Sequence, residues 1–298
     1  MNVFRRIIRK FNVMFAKSGA PKEKAISKRN LSLMQSSNEE LIKKLANVLE
    51  SISTHRFTEQ ETEWFSRIES LRSNLLSSTE IIPVVDYGPG HRGTQRTQEE
   101  MDKGVAGEAS VAEICRKVSS PSTYCRLLFK IVHDFKVKRG IELGTALGIS
   151  CAYQSAGMGL NNSGQFVTCE GSPGVASVAE RNLQGLGLNR TRVVQGRFND
   201  TYESVLTSQH PVDYIFIDGH HDEFATVEYF EKLIPHLDDT AIVVFDDIDW
   251  SDGMKRAWKK IIEMKGILAT VALKNLGIVI TDKKSKSAPT HYEFFLNK

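Results

Sequence analysis

The sequence predicts an α/β protein, a doubly wound and mostly parallel sheet preceded by an N-terminal helical extension. Three observations carry this. From residue 140 to residue 245 short apolar strands alternate with helical stretches, the order that builds a parallel sheet with helices on both faces. The first of those strands breaks at Gly144-Thr145 and restarts as a helix at Gly148, which is a strand, glycine turn and helix unit. Upstream, residues 31–77 show helical periodicity and no strand alternation.

In chain order, residues 1–17 place Val3, Phe4, Ile7, Ile8, Phe11, Met14 and Phe15 on one helical face and Arg5, Arg6, Arg9 and Lys10 on the other. This basic amphipathic segment fits packing on the body or on a second subunit as a homodimer contact. It also fits peripheral adsorption to an anionic membrane surface, or a transit peptide. Residues 18–28 read as a polar link. Residues 31–54 and 58–77 read as two helices, a cap or dimerisation arm, and the extension is taken to end at residue 80. Residues 82–104, rich in Gly and charge, read as a long loop in which Asp86, His91 and Arg92 are substrate-contact candidates. Two helices follow over 109–135, the second opened by Pro121. Strands are expected at 140–143, 165–169, 192–195, 212–217 and 240–245, with a hairpin over 269–273 and 277–281.

The glycine turn sets the ligand chemistry. Backbone N–H groups at a helix start favour a carboxylate or phosphate. A dinucleotide fold wants G-x-G-x-x-G against a pyrophosphate. Here Gly144 and Gly148 have no third partner, and Glu142 precedes them. An acid there repels a pyrophosphate and suits a ligand carrying an amine and a sulfonium, so NAD-dependent oxidoreduction is disfavoured.

The run Glu142-Leu143-Gly144-Thr145-Ala146-Leu147-Gly148-Ile149-Ser150 resembles motif I of class I S-adenosylmethionine-dependent methyltransferases, in the E-L-G-x-x-x-G-x-S form of the catechol O-methyltransferase-like branch. Ile217-Asp218-Gly219-His220 resembles the IDG-H motif of stand-alone bacterial members of that branch. The resemblance implies a Rossmann-like, seven-stranded sheet closed by an antiparallel C-terminal hairpin. It also implies methyl transfer, expected at a hydroxyl of a small-molecule acceptor, with S-adenosylmethionine as cofactor. Cofactor contacts then fall on Glu142, Gly144, Thr145, Gly148 and Ser150. A NAD enzyme and a non-catalytic membrane-tethered scaffold are the alternatives.

Ligands in such sheets bind beyond the carboxyl ends of the strands. Glu170, with Gly171 beside it, follows the second strand, where a carboxylate can accept both hydroxyls of a ribose. By the resemblance Arg197 and Phe198, after the third strand, flank the adenine. Asp218, His220 and His221 follow the fourth. Either histidine can serve as general base, and Asp218 matches the first metal-binding aspartate of the catechol-type enzymes. Asp246 and Asp247 follow the fifth, where the catechol-type pattern has Asp then Asn. Asp218, Asp246 and Asp247 are therefore the expected Mg²⁺ ligands. Zinc is disfavoured, because no third His or Cys has ligand spacing.

The net charge of +3 hides an asymmetry: residues 1–30 carry +8, which leaves −5 on the other 268. A mildly acidic body is not a nucleic-acid binder. Cys115, Cys125, Cys151 and Cys169 stand far apart in apolar patterns and read as reduced thiols of a cytoplasmic protein. No apolar run reaches the roughly 20 residues that span a bilayer.

Overall fold

In the computed structural model the described residues are 21–88, 96–219 and 221–296. The basic segment 1–17, His91, Arg92 and His220 lie outside them. A helix α1 spans 21–35. It is followed by α2 (Glu40–Ser53), α3 (Glu59–Leu76), β1 (Ile81–Asp86), α4 (Gln98–Lys103), β2 (Val105–Ser110), α5 (Val111–Val118) and α6 (Ser122–Asp134). The sheet region runs β3 (Arg139–Leu143), α7 (Ile149–Leu160), β4 (Gln165–Glu170), α8 (Pro173–Gly185), β5 (Thr191–Gln195), α9 (Phe198–Gln209), β6 (Val212–Ile217) and α10 (Glu223–Leu233). It ends with β7 (Leu237–Phe245), α11 (Asp252–Ile262), β8 (Ile267–Leu273), β9 (Leu276–Asp282) and β10 (Thr290–Phe294).

The main sheet has eight strands in the order β10-β8-β9-β7-β6-β3-β4-β5, one more than expected. β9 pairs antiparallel with both β7 and β8, while β10 pairs parallel with β8. The expected hairpin exists, but only β9 runs against the rest. The extra strand β10 buries Tyr292 and Phe294 in alternation, the period-2 signal of a half-buried strand.

The order reverses at β3, with β4 and β5 built to one side and β6 and β7 to the other. Side chains alternate between two cores. Tyr214, Phe216, Ile242 and Val244 join one buried cluster, while Ile215, Ile217, Val243 and Phe245 join the other with α9, α10 and α11. The first cluster also contains Leu45, Leu49, Phe65 and Ile68 of α2 and α3 with Phe129 and Tyr153, so the helical extension is laid directly on one face. Glu61 ties it down: it closes the capping box of Thr58 and accepts from Lys130 Nζ at 2.6 Å.

Two expectations are corrected. Residues 21–28, the first part of α1, are helix where a polar link was expected. Pro21 suits a first turn, and Lys22, Glu23, Lys24 and Ala25 are good helix formers. Residues 82–104 are not one loop. β1 and β2 form an antiparallel two-stranded sheet, with α4 between them opened by the Thr97–Glu100 capping box. The β-branched run Ile81-Ile82-Pro83-Val84-Val85 is the strand signal there. All four cysteines are free and buried.

Candidate active site

Each strand tip is tied to its neighbours by backbone hydrogen bonds. Gly144 and Thr145 donate to the Cys169 carbonyl (3.0 and 3.2 Å), Asp218 to Leu143 (2.8 Å) and Asp246 to Ile217 (2.9 Å). Gly144 has φ of 102°, and a Cβ there would lie 1.9 Å from the Asp218 carbonyl oxygen, so only glycine lets the tips of β3 and β6 touch. Gly148 caps α7 at φ 84°. Ala146, His221 and Asp247 hold positive φ (45°, 40° and 55°) without being glycine. Such strained residues persist where the surroundings over-determine them, and they cluster at functional sites.

Glu170 is half-buried at the β4 tip. Its two oxygens accept from the Ala146 N–H (3.0 Å) and the Ser172 N–H (2.9 Å), and the Gly171 N–H bonds the same carboxylate. A carboxylate has about four acceptor positions, so one remains for a ribose hydroxyl. It lines a cleft of ≈ 200 Å³ together with Gly171, Arg197, Phe198, Asn199 and Gly219 on one side and residues 85–88, Met101 and Asp102 on the other. Phe198 lies over Gly219 and packs edge-on against Tyr229. Arg197 is not free to flank a base. Its guanidinium bonds both Asp200 oxygens (2.7 and 2.8 Å) and the Asp102 carbonyl (2.5 Å).

Glu142 is corrected as a direct contact. It is fully buried beneath the turn, where it accepts from Gln154 Nε2 and Thr168 Oγ1, each at 2.6 Å. Tyr214 bonds Gln154 (2.7 Å), and Thr145 shares a 2.5 Å contact with Thr168. Burial pushes the Glu142 carboxyl up to about 7, against the hydrogen bonds of Thr168, Ser150, Gln154 and Cys151. Thr145 and Ser150, both buried, belong to this same polar network under the turn.

At the other end of the row of strand tips, β6 and β7 carry three acids close together. Burial, then the charges of Asp246, Glu142 and Asp247, drives the Asp218 carboxyl well above the usual range. Burial and Asp247 push Asp246 up to about 7, and the Asp218 and Asp246 carboxyls share a hydrogen bond. His221 Nε2 is 3.7 Å from Asp218, and its Nδ1 is 3.8 Å from Asp247. Burial lowers the His221 pKa, with Asp247 opposing. Trp250 and Tyr124 frame this end. The Trp250 ring is 6.1 Å from His221, and the Tyr124 phenol, raised by burial and by Asp246, is bonded to the Asn275 backbone.

The metal expectation is corrected on ligand spacing. Among the described residues, Asp218, Asp246 and Asp247 do not bring one oxygen each within 4.8 Å of one another. Glu61, His133 and Asp134 do. That second set already encloses a cation, since Lys130 Nζ lies 2.6 Å from Glu61 and 3.1 Å from Asp134. Val85, Tyr87, Met101 and Asp102 escaped the sequence reading as cleft residues. The strand run that ends at Asp86-Tyr87-Gly88 is the signal that could have placed them.

Residues 141–248 match a family described as a methyltransferase domain. Among solved structures, the chain is similar to an S-adenosylhomocysteine-bound methyltransferase from Podospora anserina (16% identity, TM-score 0.51, covering 84% of this chain and 97% of that one). An O-methyltransferase from Bacillus cereus in complex with S-adenosylhomocysteine gives 21% identity, TM-score 0.48 and coverage of 56% and 84%. The O-methyltransferase TomG from Streptomyces achromogenes, involved in tomaymycin synthesis, gives 20%, 0.47, and 55% and 82%. No curated protein matches the chain. At 16% identity the likeness to the Podospora anserina protein shows a shared fold.

Proposed function

We propose that the protein transfers the methyl group of S-adenosylmethionine to a hydroxyl of a small-molecule acceptor. The observation that carries this reading is Glu170. It is a half-buried carboxylate with an acceptor position to spare, lining the cleft at the switch point of the sheet and bonded to the glycine turn of β3 and α7. The donor set fits the cofactor: Glu170 for a ribose hydroxyl, the 144–148 turn and Gly171 for close backbone approach, Phe198 for the base. The acidic end at Asp218 suits a cation. When bound, the cofactor supplies a methyl group made electrophilic by its sulfonium.

The chain's own work is alignment and removal of one proton. His221, held neutral by burial and flanked by Asp218 and Asp247, takes the acceptor's hydroxyl proton at a ring nitrogen. Asp218 and Asp246 hold one proton between them, which relieves the repulsion of neighbouring carboxylates. No step runs through Mg²⁺, because the three aspartates lack the convergence of a ligand set. The family match supports methyl transfer as the reaction.

Calorimetry with S-adenosylhomocysteine tests the cofactor. Glu170→Ala is expected to weaken binding by about 1–3 kcal/mol, and NAD should not raise the melting temperature. Unchanged affinity in that variant would sink the ribose assignment. Once an acceptor is found, His221→Ala should lower kcat by about 10²-fold or more with cofactor affinity intact. An unchanged kcat would remove the base role from His221 and pass it to His220 or Asp218.

A further inference from the structure

The cleft that holds Glu170 has a second wall outside the stretch that matches the family. It comes from the β1–β2 sheet and α4, which together contribute residues 85–88, Met101 and Asp102. This wall is fastened to the elements that follow Glu170. The Val85 N–H donates to Ser172 Oγ at 3.1 Å, and Arg197 donates to the Asp102 carbonyl. Glu80 pairs with Arg181 at 2.7 Å. β1 also lies so close to α8 that a Cβ on Gly174 would stand 2.1 Å from the Pro83 carbonyl oxygen. On the cleft side the Tyr87 ring rests on Gly171, where an added Cβ would be 2.8 Å from the ring. The Phe198 ring lines the same cleft. Two aromatic rings and an acceptor carboxylate lining one cleft suit a flat heteroaromatic nucleoside, since ring faces give contact area without directional bonds.

We infer that the β1–β2 sheet is the outer wall of the cofactor's nucleoside site and that Tyr87 positions the adenosine from that side. The inference rests on the cofactor reading above. It makes the N-terminal part of the chain a component of the binding site, not an appendage. The contact is through the ring, so the hydroxyl is dispensable.

The test is S-adenosylhomocysteine titration by calorimetry on the full chain. Tyr87→Ala should raise Kd by about ten-fold, and Tyr87→Phe should bind like the parent. Tyr87→Leu, which keeps an apolar side chain and loses the flat ring, should weaken binding in the same direction, and it stands in should Tyr87→Ala fail to fold. If Tyr87→Ala and Tyr87→Leu both bind as the parent while Glu170→Ala is weakened, the wall is overturned and the cofactor reading survives. If Glu170→Ala is also unchanged, the cofactor reading itself fails.

Discussion

Glu142 shows how a single residue can be legible in kind and misread in role. Its place two residues before Gly144 marks a motif, and the motif points to a cleft. Burial, however, is a property of packing. The carboxylate turns down into Gln154 and Thr168, a choice invisible until β4 and β6 are in place. The consequence is measurable. In the unfolded chain a glutamate titrates near ~4.3, whereas here burial raises it to about 7. Between those values the folded protein keeps a proton that the unfolded chain has released. The stability linked to this proton is therefore fully present below the unfolded pKa and is lost as pH rises through the folded one. Urea unfolding at about pH 5 and about pH 8 should find Glu142→Gln gaining on the parent at the higher pH by on the order of 2 kcal/mol. An equal difference at both pH values would mean that Glu142 stays ionised in the fold. Glu170, at the next strand tip, was legible in its place beside the glycine turn. A residue just past a strand end in a parallel sheet has little choice of surroundings, and Arg197, whose partner Asp102 is 95 positions away, has a great deal.

Elements were legible in proportion to their local signal. β3, β4, β6 and β7 are apolar runs between glycines or acids, and they fall within a few residues of their expected ends. The hairpin itself was legible too, but not its two-residue turn, which pairs Leu273 with Leu276, nor its place in the sheet. That β9 enters between β7 and β8 depends on which edge remains open once β7 has paired with β6. β1 was missed because Pro83 and the flanking Gly-rich stretch outweighed its β-branched residues. Pro is tolerated there because a two-stranded sheet consists of edges. The break between α1 and α2 at residues 36–39 follows from Ser36, Ser37 and Asn38, which compete for backbone bonds. Ser36 donates to the Leu33 carbonyl at 3.0 Å. None of this is a matter of composition. It is the difference between bonds made within one turn and bonds that wait for tertiary structure.

For the whole molecule, the charge asymmetry is the feature that the sheet does not use. Residues 1–17 carry the basic amphipathic pattern, while the cleft is built from residues beyond 80. Deleting 1–17 is therefore expected to leave S-adenosylhomocysteine affinity unchanged and to alter either sedimentation behaviour or retention on anionic liposomes. If both associations persist unaltered, the segment is a tail with no part in partner contact. Two parts of the chain far apart in sequence meet on the way. Asn30 of α1 donates to the Glu293 carbonyl at 2.7 Å, and the Ser27 hydroxyl accepts from the Phe295 N–H at 2.9 Å. β10 is an outermost strand of the sheet, and an open edge is a template on which other chains can add as strands. Two side chains of α1 take up hydrogen-bonding groups at that edge, so less of it is open to a further strand while α1 is docked, and more of it whenever that helix frays or is clipped.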